Sequence, residues 1–125
     1  MMKNEIKKLL KNFRKELDKN EISANFAFPE SFTGFKGHFP KEAILPGVCQ
    51  VEMAIALSET YCGKELKLIS LSRGKFLNVV KPNDEVQVSG TYTHSDNYIS
   101  GKFKLTKIVD NEIVNISRIS LKLRS

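Results

Sequence analysis

The sequence predicts an α+β protein in which a curved antiparallel sheet wraps around one buried helix. Residues 48–61 are apolar on most sides, and Pro46 before them and Gly63 after them are typical of helix ends. Long strand-like segments follow, separated by short clusters of turn-forming residues, which indicates antiparallel neighbours. With 125 residues, the chain has room for a single hydrophobic core.

The N-terminal segment has a helical pattern of apolar residues. Over residues 3–17 they recur at spacings of three and four: Ile6, Leu9, Leu10, Phe13 and Leu17. We therefore expect a charged N-terminal helix within residues 1–20 and a single domain over residues 21–125. The lysine-rich polar face of this helix is most simply a solvated surface, and binding to a membrane surface or a partner is the alternative.

The next segment, residues 22–28, alternates between apolar and small or polar side chains, which predicts a half-buried strand that ends at Pro29. Residues 30–45 show neither period and contain Gly34, Gly37 and Pro40, so we expect a loop there.

The remaining strands are predicted from alternation between turn signals. We expect them at residues 66–73, 75–80, 85–92, 98–108 and 112–123. Pro-Asn-Asp at 82–84, Ser-Asp-Asn at 95–97 and Asp-Asn at 110–111 supply the turn chemistry between them.

Charge and cysteine content limit the classes of function. The net charge of +6 favours acidic partners, but lysine supplies most of the positive charge, whereas nucleic-acid readers depend on arginine, so nucleic-acid binding is not favoured. Cys49 and Cys62 lack metal-binding or disulfide spacing and are expected to be reduced core thiols. The chain has no signal-peptide pattern and no stretch long enough to span a membrane, so we expect a cytoplasmic protein.

Two polar residues have surroundings that give them no structural purpose, namely His38 in the loop and Glu52 in the apolar helix. The helical neighbours of Glu52 at three and four positions cannot neutralise it. Burial raises the pKa of a carboxyl group and allows it to act as a general acid, while a histidine in a Gly- and Pro-containing loop can act as a base. Taken singly, a surface histidine and a solvated glutamate are the simpler interpretations.

These residues belong to a recognisable arrangement. Residues 37–40 read Gly-His-Phe-Pro, residues 44–48 read Ile-Leu-Pro-Gly-Val and residues 51–52 read Val-Glu. This arrangement closely resembles the signature of the 3-hydroxyacyl-(acyl-carrier-protein) dehydratases. The likeness extends as architecture over residues 22–123. A narrower resemblance, to the short dehydratases of aryl-polyene pathways, depends on four residues: Phe26, Phe28, Pro29 and Gln50.

The resemblance implies a hotdog fold, a long central helix wrapped by an antiparallel sheet, here with an extra N-terminal helix. It also implies a homodimer, or a higher assembly of dimers, in which each site combines the histidine of one chain with the acidic residue of the other. His38 is then the base that removes the C2 proton of a 3-hydroxyacyl thioester, and Glu52 is the acid that protonates the departing hydroxyl.

The same resemblance assigns further roles around these two residues. The backbone N–H groups of Gly47 and Val48 lie at the positive end of the helix and are expected to stabilise the thioester oxygen, although Gly47 also suits a tight turn. An apolar tunnel would hold the acyl chain, with four candidate residues that ordinary core positions would equally explain: Met53, Ile55, Phe76 and Leu77. The reaction needs no cofactor, and we find no metal-ligand cluster. His94, beside a turn, is expected to be exposed and inert.

The expected partner is a thioester of acyl carrier protein or of coenzyme A. Acyl carrier proteins are acidic, and Lys36, Arg73 and Lys75 are candidates for a basic rim that would attract them. The sequence departs from the family pattern at Ala43, Asn83 and Ala56, where proline, glycine and glutamine are usual. The loss of a polar group at position 56 predicts an altered substrate or a lower activity.

Two other functions stay open at this point. A hotdog acyl thioesterase would hydrolyse the thioester, and the Gly-His-Phe-Pro run argues against it. A non-catalytic module that binds acyl thioesters is the second, and the presence of both His38 and Glu52 argues against that.

Overall fold

The computed structural model describes residues 2–36 and 43–125. Its helices and strands are, in chain order, α1 (Met2–Lys8), β1 (Lys11–Glu16), β2 (Glu21–Ala27), α2 (Gly47–Cys62), β3 (Lys67–Phe76), β4 (Glu85–His94), β5 (Ile99–Val109) and β6 (Glu112–Arg124). Single turns of 3₁₀ helix lie at Leu17–Lys19 and Thr33–Phe35. The strands form one antiparallel sheet in the order β1-β2-β4-β5-β6-β3. The predicted α+β architecture, with a sheet around a central helix, is confirmed.

The central helix α2 begins and ends where its sequence predicts. Pro46 precedes it in an extended conformation, and Gly63 follows it with φ 71°, donating its N–H to the Glu59 carbonyl at 2.8 Å. Met53 and Leu57 within it are completely buried. Burial of each such side chain contributes about 1.5–3 kcal/mol, so packing rather than intrinsic helix propensity keeps this helix in place.

The sheet follows the predicted alternation, with Val86 and Val88 of β4 and Phe103 and Leu105 of β5 facing the core. Strands β5 and β6 are joined by the predicted turn, in which Asp110 and Asn111 have φ 52° and 65°. Two consecutive positive φ angles match the twist of a tight hairpin, and Asn and Asp tolerate them better than most residues.

The predicted helix over residues 3–17 is wrong beyond its first half. α1 ends at Lys8, and Lys11–Glu16 pairs with β2 as an edge strand. The chain leaves the helix through two turn hydrogen bonds, from Leu9 N–H to the Ile6 carbonyl and from Leu10 N–H to the Lys7 carbonyl. Asn12, inside β1, has φ 56°, and the register shifts between Lys11 and Arg14, as at a β-bulge. The helical spacing of apolar residues is real, but the hydrogen bonds available at the open edge of β2 outweigh it.

The two strands predicted at residues 66–73 and 75–80 are instead one strand, β3. Gly74 lies inside it opposite Ile119, and irregularities after Leu68 and Leu71 absorb the change in alternation. The chain then leaves the sheet, because the N–H groups of Leu77 and Asn78 both donate to the Ile116 carbonyl, at 2.8 and 3.1 Å.

Candidate active site

Glu52 lies in the second turn of α2, on a mostly buried helix. Its Oε2 is buried and has no hydrogen-bond partner among residues 2–36 and 43–125. Burial raises the pKa of this carboxyl group; Lys3 opposes the rise and Glu59 adds to it. A larger fraction of Glu52 is therefore protonated near neutral pH than for an exposed glutamate, which is what a general acid requires.

The N-terminus of α2 presents backbone donors close to Glu52 in the chain. The first N–H groups of a helix have no acceptor within the helix, and that of Cys49 already bonds to the Pro46 carbonyl at 3.0 Å. Among residues 2–36 and 43–125, no backbone hydrogen bond is found from the N–H groups of Gly47 and Val48, which lie at the positive end of the helix dipole. Their role as oxyanion donors stays a prediction.

Phe76, one of the predicted tunnel residues, lies against this same helix end. A Cβ at Gly47 would come within 3.3 Å of the Phe76 ring, so the glycine permits the end of β3 to approach the start of α2 closely. Leu77 is also partly exposed beside it, whereas Met53 and Ile55 are core residues. Of the four tunnel candidates, Phe76 and Leu77 are each 47% exposed, whereas Met53 and Ile55 are at most 4% exposed.

His38, Phe39 and Pro40 lie outside the described residues, so the predicted pairing of His38 with Glu52 stays a prediction. The chain is anchored on either side of them. Phe35 is buried in the core, and Leu45 is buried and donates its N–H to the Val80 carbonyl at 2.8 Å.

The residues that surround Glu52 include two that the sequence analysis did not single out, Lys3 and Glu59. Glu59 is fully buried, and its carboxylate receives the Leu66 N–H at 2.9 Å and the Lys3 Nζ at 2.9 Å. Lys7 adds a second ion pair at 3.4 Å. The signal available in the sequence was a second carboxylate two turns after Glu52 on the same apolar helix.

The outer face of the sheet is strongly basic. Residues 67–76, 86–94, 99–109 and 113–124 contain no Asp or Glu. A cavity of about 360 Å³ on this face has one carboxylate, Glu21, and four cationic side chains in its lining: Arg73, Lys102, Lys104 and Arg118. Of the three residues predicted to form a basic rim, Arg73 lines this cavity, and Lys75 and Lys36 do not. Lys75 lies opposite Arg118 in the register. A basic rim at the mouth of an acyl tunnel stays a prediction.

Sequence-based predictions also concern His94, the two cysteines, metal sites and membrane-spanning segments. His94 is exposed at the end of β4, as expected, with its ring 6.4 Å from that of Tyr61. Cys49 and Cys62 are free thiols, and burial raises the pKa of Cys49 to about 11. Within the described ranges no group of three or more potential ligands could hold a metal ion, and none of the helices there is long and apolar enough to cross a membrane.

A comparison with known families matches residues 14–117 to the ApeI-like family, described as ApeI dehydratase. The chain belongs to the ApeI-like dehydratase family. The match begins inside β1, covers β2 to β5 and α2 completely, and ends inside β6. It agrees with the resemblance found in the motif around His38 and Glu52.

Curated relatives of this ApeI-like protein include the 3-hydroxyacyl-(acyl-carrier-protein) dehydratase FabZ of Caldicellulosiruptor bescii. The two are 37% identical over 64% of this chain and 61% of the relative. The chain therefore spans less than two thirds of the length of this relative, and it spans between 48% and 67% of the length of other curated relatives.

Solved structures with the same fold carry different chemistries. The dehydratase heterocomplex ApeI:P from Xenorhabdus doucetiae matches with a TM-score of 0.66 and 20% identity, over 85% of this chain and 88% of that one. An acyl-CoA hydrolase from Staphylococcus aureus, in complex with butyryl coenzyme A, matches with a TM-score of 0.62 and 13% identity, over 89% and 68%. These likenesses confirm the hotdog fold.

Two departures of this ApeI-like sequence from the pattern of the fatty-acid dehydratases have a structural account. Asn83, in place of the usual glycine, has φ 67°, and asparagine is the residue besides glycine that best tolerates this conformation. Ala56, in place of the usual glutamine, is buried on α2 one turn after Glu52. Its methyl group can neither donate nor accept a hydrogen bond, so this position offers Glu52 none.

Proposed function

We propose that this protein catalyses the reversible dehydration of a 3-hydroxyacyl thioester to a trans-2-enoyl thioester. The observation that carries the proposal is the buried carboxyl oxygen of Glu52 near the N-terminus of α2, in a chain of the ApeI-like dehydratase family. This oxygen has no hydrogen-bond partner within the described part of the chain. An elimination next to a thioester requires an acid, a base and stabilisation of one oxygen, and this chain has candidates for each.

In the proposed mechanism, His38 takes the C2 proton and the electron pair of the broken C–H bond moves toward the thioester. The N–H groups of Gly47 and Val48 stabilise the negative charge that develops on the thioester oxygen. The C3–O bond then breaks as Glu52 transfers its proton to the departing hydroxyl, which leaves as water. Return of the proton from His38 to Glu52 through solvent completes the cycle.

The proposed assembly is a homodimer joined through β3, in which the histidine of one chain serves the glutamate of the other. β3 is an edge strand with unpaired backbone groups, and its core-facing residues Leu68, Leu71 and Phe76 remain 45–47% exposed. An exposed apolar face of this kind on an open sheet edge favours pairing with a second copy.

The basic outer face supports an acyl carrier protein, rather than free coenzyme A, as the carrier of the proposed substrate. Its cations extend over several strands, a distribution that suits a broad acidic surface better than a single nucleotide. The expected result is that Arg73→Gln with Arg118→Gln raises KM for the carrier-protein thioester and leaves KM for a short pantetheine thioester unchanged. Equal effects on both substrates would contradict this assignment.

The test of the function is the change in enoyl absorbance when the purified full chain meets 3-hydroxyacyl thioesters of several lengths. We expect turnover by the wild type and by His94→Ala, which replaces the other histidine, and its loss in His38→Ala. Release of a free thiol would instead indicate a thioesterase, and tight binding without turnover, unaffected by His38→Ala, would indicate a binding module. A cytoplasmic location is part of the proposal.

A further inference from the structure

Two contacts hold α1 against the face of α2 that carries Glu52. One helical turn before Glu52, Cys49 Sγ lies 3.5 Å from Met2 Sδ. Two turns after Glu52, Glu59 pairs with Lys3 at 2.9 Å. Because residues three, four and seven positions apart share a helix face, Glu52 lies on the strip of α2 between the two contacts.

Glu59 is the fixed point of this arrangement. Its side chain is 1% exposed, whereas those of Lys3 and Lys7 are 42% and 41% exposed. The Leu66 N–H also donates to it, so its position is set by the chain that enters β3 as well as by α2. A buried carboxylate needs such partners, and here the cationic partners come only from α1 among the residues described.

α1 is also tied to the segment that leads toward His38. Thr33 Oγ1 donates to Glu5 Oε2 at 3.2 Å, and Ile6 is fully buried between these contacts. The short helix α1 therefore bridges α2 and the 3₁₀ turn at Thr33–Phe35. In the proposed mechanism, α2 carries the acid Glu52, and the chain that follows the 3₁₀ turn leads to the base His38.

We propose that α1 is a positioning element of the active site, held by the ion pairs of Lys3 and Lys7 with Glu59, and that it shields Glu52 from water. This inference depends on the proposed function, in which Glu52 donates a proton. Lys3, Lys7 and Glu59 are positioning residues, since none of them is required to touch the substrate.

The test is a charge-balanced pair of substitutions, Lys3→Gln with Glu59→Gln, in the full chain. The amide oxygen of glutamine can still accept the Leu66 N–H, while both ion pairs to α1 are lost. The matched control is Glu16→Gln with Lys19→Gln, which removes an exposed ion pair of 3.7 Å elsewhere and likewise leaves the net charge unchanged. If the first variant fails to fold, Lys3→Gln with Lys7→Gln keeps Glu59 and its bond to Leu66.

The first measurement is alkylation of Cys49, followed by peptide mass spectrometry, which separates Cys49 from Cys62. Cys49 is completely buried in contact with Met2, so its reactivity reports opening of α1. We expect it to react about tenfold faster in the test variants, because a lost charge-assisted hydrogen bond makes local opening easier. The control should react at the wild-type rate, and an equal rate in test and control would overturn the proposal.

The second measurement is the pH profile of kcat/KM of the variant Lys3→Gln with Glu59→Gln, compared with that of the matched control. The charged groups that act on Glu52 within the described residues are Lys3 on α1 and Glu59 on α2, while the Cys49 thiol is neutral over the assay range. Lys3 is the stronger of the two, so losing both charges alone would leave the pKa of Glu52 unchanged or raise it. Entry of water would lower this pKa and move the alkaline limb of the profile about one unit toward acid.

These outcomes separate the two proposals. A shift of the alkaline limb to lower pH in the test variant, with none in the control, supports the role of α1. If the variant is active and its alkaline limb stays at the same pH or moves to higher pH, the proposed role of α1 is wrong, while the proposed function still stands. A folded wild type without dehydratase activity overturns the proposed function, and the catalytic role of α1 with it, whatever the alkylation rates show.

Discussion

Glu52 and Glu59 show how neighbours decide the behaviour of identical side chains on one helix. Burial raises the pKa of both carboxyl groups. For Glu59 the hydrogen bond from the Leu66 N–H and the nearby lysines more than compensate, and its pKa is lowered overall. In the ranges that the structure describes, the buried oxygen of Glu52 receives no such hydrogen bond, and burial keeps the pKa of Glu52 raised. Glu59 is a structural anion, and Glu52 is the candidate acid.

We expect Glu52→Gln to lose about 10²–10⁴-fold in kcat/KM without losing stability. The pKa of Glu52 is higher in the folded state than its usual value of about 4.5 in the unfolded state. The contribution of Glu52 to the free energy of unfolding is therefore most favourable below about pH 4.5, and it is lost as pH rises through the folded-state pKa. Above this range the neutral variant should be at least as stable as the wild type. Urea denaturation at pH 4 and pH 8 measures this, and a variant that is less stable at pH 8 would contradict the assignment.

Another residue-scale feature is the packing of Phe103 over two glycines. A Cβ at Gly90 or Gly101 would lie 2.8 or 2.6 Å from its ring, and Gly90 is its register partner on β4. The ring fills the space that side chains at these positions would occupy, so the glycines are required by the aromatic residue rather than by a turn.

Gly90→Ala is expected to lower the free energy of unfolding by about 1–3 kcal/mol, because overpacking forces the buried Phe103 ring to move. Thr91→Ala, at the next and exposed position of β4, should change it by less than about 0.5 kcal/mol. Urea denaturation of both variants tests this, and equal effects would show that the core accommodates the extra methyl group.

At the scale of elements, α1 and α2 differ in what defines them. α2 is defined by its own apolar composition together with Pro46 and Gly63, and the sequence predicts its ends closely. α1 is half as long as its apolar spacing predicts, because residues after Leu10 gain backbone hydrogen bonds at the edge of β2. The spacing of apolar residues indicates which side chains face the core. An edge strand such as β1 can also direct apolar side chains toward the core, so the spacing alone does not distinguish it from a helix.

Glu59 of α2 contacts the lysines of α1 and the Leu66 N–H just before β3. Its removal should therefore destabilise the packing of all three elements. Glu59→Ala leaves the buried Leu66 N–H without its acceptor and releases the lysines of α1, for an expected loss of about 2 kcal/mol at pH 7. Because the folded-state pKa of Glu59 is lowered, this contribution is present above about pH 4.5 and is lost as pH falls through the folded value. The difference between wild type and variant in urea should therefore shrink toward pH 3.

Glu16→Ala is the control for this stability measurement. Its partner Lys19 and Glu16 itself are both exposed, and an exposed pair contributes at most about 1 kcal/mol. A Glu59→Ala variant that loses no more than this control would show that α1 is held by apolar contacts alone.

At the scale of the whole molecule, the two faces of β3 have opposite character. Leu68, Leu71 and Phe76 face the core side and are half exposed, while Arg73 and Lys75 face outward. Pairing of β3 with a second copy would cover the apolar face and extend the basic face across both chains. In the proposed assembly, the same strand would contribute to the dimer interface on one face and to the surface for an acidic partner on the other.

Leu71→Lys is expected to convert the proposed dimer into monomers and to remove most activity, because the proposed site needs both chains and a buried lysine disfavours the interface. Ile113→Lys, at the β5–β6 hairpin, introduces the same charge at a residue that is 72% exposed and should leave the dimer intact. Light scattering coupled to size-exclusion chromatography measures the oligomeric state of both variants. A dimeric Leu71→Lys protein would place the interface elsewhere.

The sequence by itself determined the central helix, the meander of later strands and the candidate acid Glu52, since each depends on local composition, periodicity or turn residues. The motif around His38 also identified the dehydratase family, which the family comparison then confirmed. The division of the N-terminal segment into α1 and β1, the continuity of β3 through Gly74, and the pairing of Lys3 with Glu59 were decided by tertiary structure. Each of these depends on which hydrogen-bonding or charged group lies nearby in space, and residues far apart in the chain supply that group.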